Sequence, residues 1–408
     1  MSEWKECKLK DIAEIQTGPF GSQLHKSDYV SVGVPCIMPT IIGSHLDLST
    51  DGIARIKEED AIRLSKHIVH TGDIVYARRG DIEKCAYIKD SQNGWFCGTG
   101  CLKVYNFKDN VLPLYIAYQL STDRCKKLIS KNAVGTTMPN LNTTILGDIS
   151  LFVPQLQTQQ NIASILSSLD DKIAVNRRIC ENLEAQAQAL FKHWFIDFAP
   201  FKDGKFVESE LGMIPEGWKV GKLSDLGDII CGKTPSKANK LYYGGNVPFI
   251  KIPDMHGNMF VINSEDNLSN EGSNSQLNKL IPEFSIMVSC IATVGLVSMN
   301  TKPSHTNQQI NTIVPYVPSY RYYIYENLKL REKELLLLGS SGTTTYNVNT
   351  KTFSSLKILM PDLKVIEDFD KSIKYHFEET LNLYQENLRL STLRDTLLPK
   401  LMSGQIKV

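Results

Sequence analysis

Apolar residues run along this chain in two textures, and the pair of textures occurs twice. In the first stretch, to residue 153, and again from 217 to 360, short apolar runs such as Val34-Pro35-Cys36-Ile37-Met38, Gly72-Asp73-Ile74-Val75-Tyr76-Ala77 and Ser285-Ile286-Met287-Val288-Ser289 are punctuated by glycine and proline. Runs of this length between turn residues predict short strands with irregular loops, an α+β domain and not a repeating strand-helix-strand unit. After Pro154 the spacing changes. Ile162, Leu166, Leu169, Ile173, Asn176, Cys180, Leu183, Ala187, Leu190 and Trp194 step by four and three in alternation, with Asn176 the one clearly polar member. Such a sustained 3.5-residue period predicts a coiled-coil helix. At ~1.5 Å per residue it would be ~60 Å long, too long to bury its stripe alone.

The partner stripe lies near the other end of the chain. From Asp362 to Leu398 there is no glycine or proline, and Ile366, Phe369, Ile373, Phe377, Leu381, Leu388, Leu390 and Leu397 supply apolar surface. His376 and Thr380 interrupt it where the first stripe has Leu169 and Ile173. The two textures belong to a duplication: Gly135-Thr136-Thr137-Met138-Pro139-Asn140-Leu141-Asn142 returns as Gly342-Thr343-Thr344-Thr345-Tyr346-Asn347-Val348-Asn349, and Pro154 as Pro361, Leu183 as Leu390 and Leu190 as Leu397, at one constant offset. Trp4-Lys5, Leu9, Asp11 and Gly18 likewise match Trp218-Lys219, Leu223, Asp225 and Gly232. The expected organisation is a first mixed domain over 1–153, a first long helix over 154–199, a linker over 200–216, a second mixed domain over 217–360, and a second long helix with tail over 361–408. Closure with pseudo-twofold symmetry makes the helices an antiparallel coiled coil, with the front domains at its opposite ends.

Charge narrows the function less than the repeat does. Lys plus Arg (45) nearly equals Asp plus Glu (44), which excludes a broadly basic domain but not a locally basic face. Nine cysteines without a Cys-x-x-Cys pair, no apolar leader in Met-Ser-Glu-Trp-Lys-Glu, and a longest apolar run of only Leu335–Leu338 lead us to expect a soluble cytoplasmic protein with reduced thiols. Gly227-Asp-Ile-Ile-Cys-Gly232-Lys233-Thr234 fits the Walker A pattern by letter, yet Ile229, Ile230 and Cys231 read as strand and Pro235 opposes a helix through Thr234. Phe96-Cys97-Gly98-Thr99-Gly100 is read as a turn and not as a cofactor loop. His25, His45, His67, His70, His193 and His376 show no ligand spacing, so no catalytic or metal site is expected.

The recurring loops carry a different chemistry. Small hydroxyls and amides on glycine-bearing backbone suit phosphate oxygens and base edges. The candidate DNA contacts are Ser22, Lys26, Arg78, Arg79, Lys84, Thr136, Thr137, Asn140 and Asn142 in the first copy, and Lys233, Thr234, Lys240, Tyr242, Lys251, Asn307, Gln308, Thr343, Thr344, Asn347 and Asn349 in the second.

Several ordered strings carry a resemblance over essentially the whole chain. They are Gly18-Pro19-Phe20-Gly21-Ser22, the Gly-Thr-Thr loops, Phe152-Val153-Pro154 with Gln159-Gln160, and Leu190-Phe191-Lys192-His193-Trp194-Phe195. Leu211-Gly212-x-Ile214-Pro215-x-Gly217-Trp218 and Leu393-Arg394-Asp395-x-Leu397-Leu398-Pro399-Lys400-Leu401 complete the set. With them the chain resembles the specificity subunits of Type I restriction-modification systems. The resemblance implies two target-recognition domains, each reading half of a bipartite double-stranded DNA sequence, joined by helices that set the spacer and dock two modification subunits. It implies no active site here: S-adenosylmethionine, for adenine methylation, would belong to the modification subunits, and ATP and Mg to restriction subunits. Leu363-Lys364-Val365-Ile366-Glu367 lacks the Gln-Gln of the first helix, so different contacts are expected where the second helix starts.

Overall fold

The computed structural model describes residues 4–133, 139–339 and 347–408, and the chain divides into two units, Met1–Lys172 with Leu390–Val408, and Ile173–Arg389. In the first unit Lys5–Lys8 pairs antiparallel with Ser150–Val153, bringing the two ends of the front segment together. Between them, Glu14–Thr17, Cys101–Tyr105, Ile74–Ala77 and Cys85–Tyr87 form a four-stranded antiparallel sheet in that order. Ile74–Ala77 is buried at every position, which is why its sequence is a continuous apolar run and not an alternation. A second sheet orders Tyr29–Val30, Ala54–Ile56, Val34–Ile37 and Phe96–Cys97, the last pair parallel. Helix Pro113–Leu120 opens on proline, whose fixed φ suits a first helical position. Its Tyr115 hydroxyl donates to the Phe152 carbonyl at 2.7 Å.

The second unit repeats this plan. Lys219–Lys222 pairs with Lys357–Met360, and a five-stranded sheet orders Gly227–Cys231, Ile310–Pro315, Ile286–Ser289, Val297–Asn300 and Phe260–Val261. Its second sheet orders Asp266–Leu268, Tyr243–Ile250 and His305–Thr306. Tyr323, on helix Tyr320–Leu330, donates to the Leu359 carbonyl at 2.6 Å, the same contact that Tyr115 makes in the first unit. Within this unit, a hairpin of Phe206–Ser209 and Gly212–Pro215 comes before Lys219–Lys222.

The long helices are Leu156–Phe195 and Leu363–Met402, each of 40 residues. Gln159 is fully buried and spends its whole amide on the start of the first: Oε1 accepts from Leu112 N at 2.8 Å, and Nε2 donates to the carbonyls of Asn110 (3.0 Å) and Pro154 (2.8 Å). The matched residue, Ile366, is a buried core side chain, which explains the missing Gln-Gln. Within the second unit the two helices run antiparallel: Asn176 Nδ2 donates to Glu386 Oε2 (2.7 Å) and Asn387 Oδ1 (2.9 Å), Cys180 and Leu183 pack on Leu383, and Phe195 packs on Phe369 with ring centroids 4.8 Å apart. Within the first unit Ile162 and Leu166 share a core with Leu401 and Met402.

The stripes differ from expectation in three places. Toward its end the first seam shifts by one residue, so Phe191 and Phe195 are buried while Leu190 and Trp194 are only partly so. On the second helix Leu388 is 40% exposed, whereas Leu383 and the charged Arg394 are buried. The helix also runs through Pro399, because burial of Leu401 and Met402 in the first unit's core outweighs one lost backbone bond in the last turn. The compact units moreover divide inside the helices and not at their ends.

Candidate nucleic-acid interface

In the first unit, one end of the four-stranded sheet gathers the loops that follow Thr17 and Ala77 and those that precede Cys85 and Cys101. Gly18 is forced by close approach: a Cβ there would lie 2.2 Å from the Gly98 carbonyl oxygen. Gly98 is forced too, since its Cβ would meet Cys36 Sγ at 2.6 Å and Ile37 O at 2.7 Å. Over this glycine turn lies Arg78, whose N donates to Gly100 O (2.7 Å), whose O accepts from Leu141 N (2.9 Å), and whose Nε donates to Asn140 Oδ1 (3.2 Å). Arg79 is exposed and bridges backbone to backbone with Asn140. Lys84 lies in the same turn, its ammonium 2.7 Å from Asp81.

A basic helix completes this face, and sequence reading passed it over. Asp123–Asn132 carries Arg124, Lys126, Lys127 and Lys131 against the single acid Asp123. Its Ser130 hydroxyl donates to Glu83, which fixes the last turn of the helix beside the Arg78–Lys84 segment. A charged stretch on a helix reads as an ordinary solvated face. Only this contact reveals which loop it adjoins.

The second unit builds the same frame with other side chains. Gly232 stands where Gly18 does, a Cβ there lying 2.2 Å from Asn307 O, and the turn Asn307-Gln308-Gln309 replaces Gly98-Thr99-Gly100. Cys290 N donates to Gln309 O and Val348 N to Cys290 O, both at 2.8 Å, so Cys290 occupies the backbone position of Arg78. Asn347 bridges Ile291 as Asn140 bridges Arg79. Thr234 donates its hydroxyl proton to Gln308 Oε1 at 2.6 Å, beside the exposed Lys233. Behind them the buried His305 holds Ser273 Oγ (2.8 Å) and Gln276 Nε2 (3.4 Å), and that amide also donates to Lys233 O at 3.0 Å. Burial depresses the His305 pKa. The Walker-like letters dissolve in this frame: Gly227–Cys231 is a strand, and the next helical turn is the single one at Lys240–Tyr242.

The remaining candidates scatter or serve the scaffold. Ser22 and Lys26 are exposed on the loop leading to the second sheet, and Lys240 and Tyr242 occupy the turn before Tyr243–Ile250. Lys251 is bound to Asp266, whose hydrogen bond raises its pKa. Asn307 is 7% exposed and braces its own turn, accepting from Gln309 N at 3.1 Å. Asn142 and Asn349 use their side-chain oxygens to cap helices Thr143–Gly147 and Thr350–Ser354, accepting from Ile145 N (2.8 Å) and Thr352 N (2.9 Å). Asparagine followed by threonine is a readable cap signal, so this role was open to sequence reading. Thr136, Thr137, Thr343 and Thr344 lie outside the described residues.

Away from these loops, the first unit buries an ionic cluster. Arg394 Nη1 lies 2.6 Å from Asp170 Oδ1, its Nη2 contacts His45 Nδ1 at 2.8 Å, and Tyr118 donates its hydroxyl proton to Asp170 Oδ2 at 2.6 Å. Among the described residues no group of three or more His, Cys, Asp or Glu is placed to hold a metal ion, and no helix is long and apolar enough to cross a membrane.

Comparison with known proteins agrees with this geometry. The family model for the Type I restriction modification DNA specificity domain matches residues 1–185 and 215–381. The Type I restriction enzyme HindI specificity subunit of Haemophilus influenzae is 36% identical, with 100% of each chain covered. The MjaIX specificity subunit of Methanocaldococcus jannaschii is 27% identical over 100% of this chain and 94% of its own. In fold, the chain is similar to the crystal structure of a Type I restriction-modification S subunit from M. genitalium, with a TM-score of 0.60 at 16% identity, covering 98% of this chain and 96% of the other.

Proposed function

The chain belongs to the Type I restriction-modification DNA specificity family, as a non-catalytic subunit with two target-recognition domains, and on that premise we propose how it reads DNA. Each unit lays its sheet-end loops on one half of a bipartite double-stranded target. Phosphates are held by Lys and Arg and bases are selected by a few side chains. One observation carries this reading: the frame of Arg78 and Asn140 recurs at Cys290 and Asn347 with its backbone bonds kept and its side chains changed. A frame kept while its presented groups diverge is what two different half-sites require.

The long helices, each passing from one unit into the other, set the spacer between half-sites and dock two modification subunits. Two modest sites on one chain give one selective binder, because the second engagement is intramolecular. The modification subunits supply S-adenosylmethionine and methylate adenine, and restriction subunits supply the ATP- and Mg-dependent step. The assembly works in the cytoplasm.

Mapping N6-methyladenine in cells that express this chain with its modification partner tests the reading. A gapped two-part motif is expected, and removing residues 217–360 should abolish one half-site preference. A continuous motif would overturn it.

A further inference from the structure

We propose that Arg78 reads a guanine in the half-site of the first unit, and that the second unit has no guanine reader at the matching position. The proposal rests on the DNA-specificity reading above and names the base chemistry within it.

Three bonds hold this arginine. Its backbone is fixed on both sides by Gly100 O (2.7 Å) and Leu141 N (2.9 Å), and Nε is tied to Asn140 Oδ1 at 3.2 Å. That last bond orients the guanidinium plane and leaves Nη1 and Nη2 with no acceptor among the described residues. A planar pair of donors fits the two acceptors, O6 and N7, on the major-groove edge of guanine. Holding it in advance lowers the ordering cost of binding. Phosphate attraction comes from neighbours, the exposed Arg79 and the Lys127 and Lys131 of the adjoining basic helix, so Arg78 is not needed as a bare charge.

The second unit serves as an internal control. Cys290 has the same two backbone bonds but is 2% exposed, and it offers no donor pair to a base. Selection there falls to the Thr234–Gln308 pair, in which the exposed Gln308 keeps its amide nitrogen as a donor once Oε1 has accepted from the threonine.

The full-length chain, assembled with its modification partner, is bound to duplexes with randomised positions, and the retained DNA is sequenced. The wild type should yield a two-part motif with a fixed G·C pair in one half. Arg78→Ala should relax that position by roughly 10- to 100-fold, whereas Gln308→Ala should alter the other half. Arg78→Lys should relax the same G·C pair while leaving the salt dependence of binding to random DNA unchanged. Uniform weakening by Arg78→Ala, with the motif intact in Arg78→Lys, would make Arg78 a phosphate contact and overturn the proposal. A two-part wild-type motif that Arg78→Ala leaves unchanged would also overturn it, with the DNA-specificity reading still standing. A wild type that selects no two-part motif would overturn both.

Discussion

The two units share a backbone frame and differ in where they carry charge. In the first, the helix after the sheet, Asp123–Asn132, is strongly basic and adjoins a turn bearing two arginines. In the second, the corresponding helix Glu332–Gly339 has two acids and one lysine, and the turn after Ser289 has no charged residue up to Leu296. Its cations instead lie on the loop from Lys233 to Lys240. The frame dictates where loops converge, not which loop carries the positive charge. A near-neutral whole chain therefore conceals one decidedly basic face.

The difference continues beneath the loops. Helix Pro113–Leu120 and helix Tyr320–Leu330 are matched through Tyr115 and Tyr323, which places Tyr118 opposite Glu326. Where the first unit buries Arg394 with Asp170, the corresponding residues Ala187 and Phe377 are fully buried and apolar. Removing one partner of a buried ion pair strands the other, so Arg394→Ala should cost about 3 kcal/mol in chemical denaturation. Adding Asp170→Phe, which copies the second unit, should recover part of that loss. Failure to recover would show that the two cores are not interchangeable at this point.

Glu326 supplies a subtler contrast. Burial, with a smaller effect from Glu184, pushes its pKa up to about 8 from an ordinary value near 4.5, and neither carboxyl oxygen has a hydrogen-bond partner among the described residues. The unfolded chain ionises this group near 4.5 while the folded chain keeps the proton, so its contribution is intact below that pH and is lost as pH rises toward 8. Melting curves of Glu326→Gln should match wild type near pH 4.5 and gain roughly 2 kcal/mol near pH 6. No such pH-dependent gain is expected at Tyr118.

The smallest effects should come from the basic helix. Lys127→Ala and Lys131→Ala should each weaken binding to all sequences alike and lower the salt slope by about 1. If either changed the selected motif, the division between phosphate-holding helix and base-reading turn would be wrong.

Periodicity revealed the long helices because burial on one stripe repeats every 3.5 residues, and Ile162 through Leu183 lie on it. It did not reveal Phe191 and Phe195, where packing against Tyr323 and Phe369 draws the seam aside, nor Arg394, a charge buried only because Asp170 faces it. Of the recurring Gly-Thr-Thr-x-x-Asn loops, Asn140 and Asn347 bridge the segments after Ala77 and Ser289, at matching ends of the two sheets. Asn142 and Asn349 spend their side-chain oxygens on helix caps, which residue type alone did not reveal because a side chain's remaining valence depends on its neighbours.

The first unit is assembled from both ends of the chain. Leu401 and Met402 belong to its core, and the Trp4 ring lies 3.3 Å from where a Cβ on Gly404 would stand. Residues 5–172 are translated well before Leu401 and Met402, so this core stays open until those two residues emerge, and a segment made earlier waits on one made later. A chain cut short within helix Leu363–Met402 would expose that apolar gap, so closure of the first unit reports on whether that helix is intact.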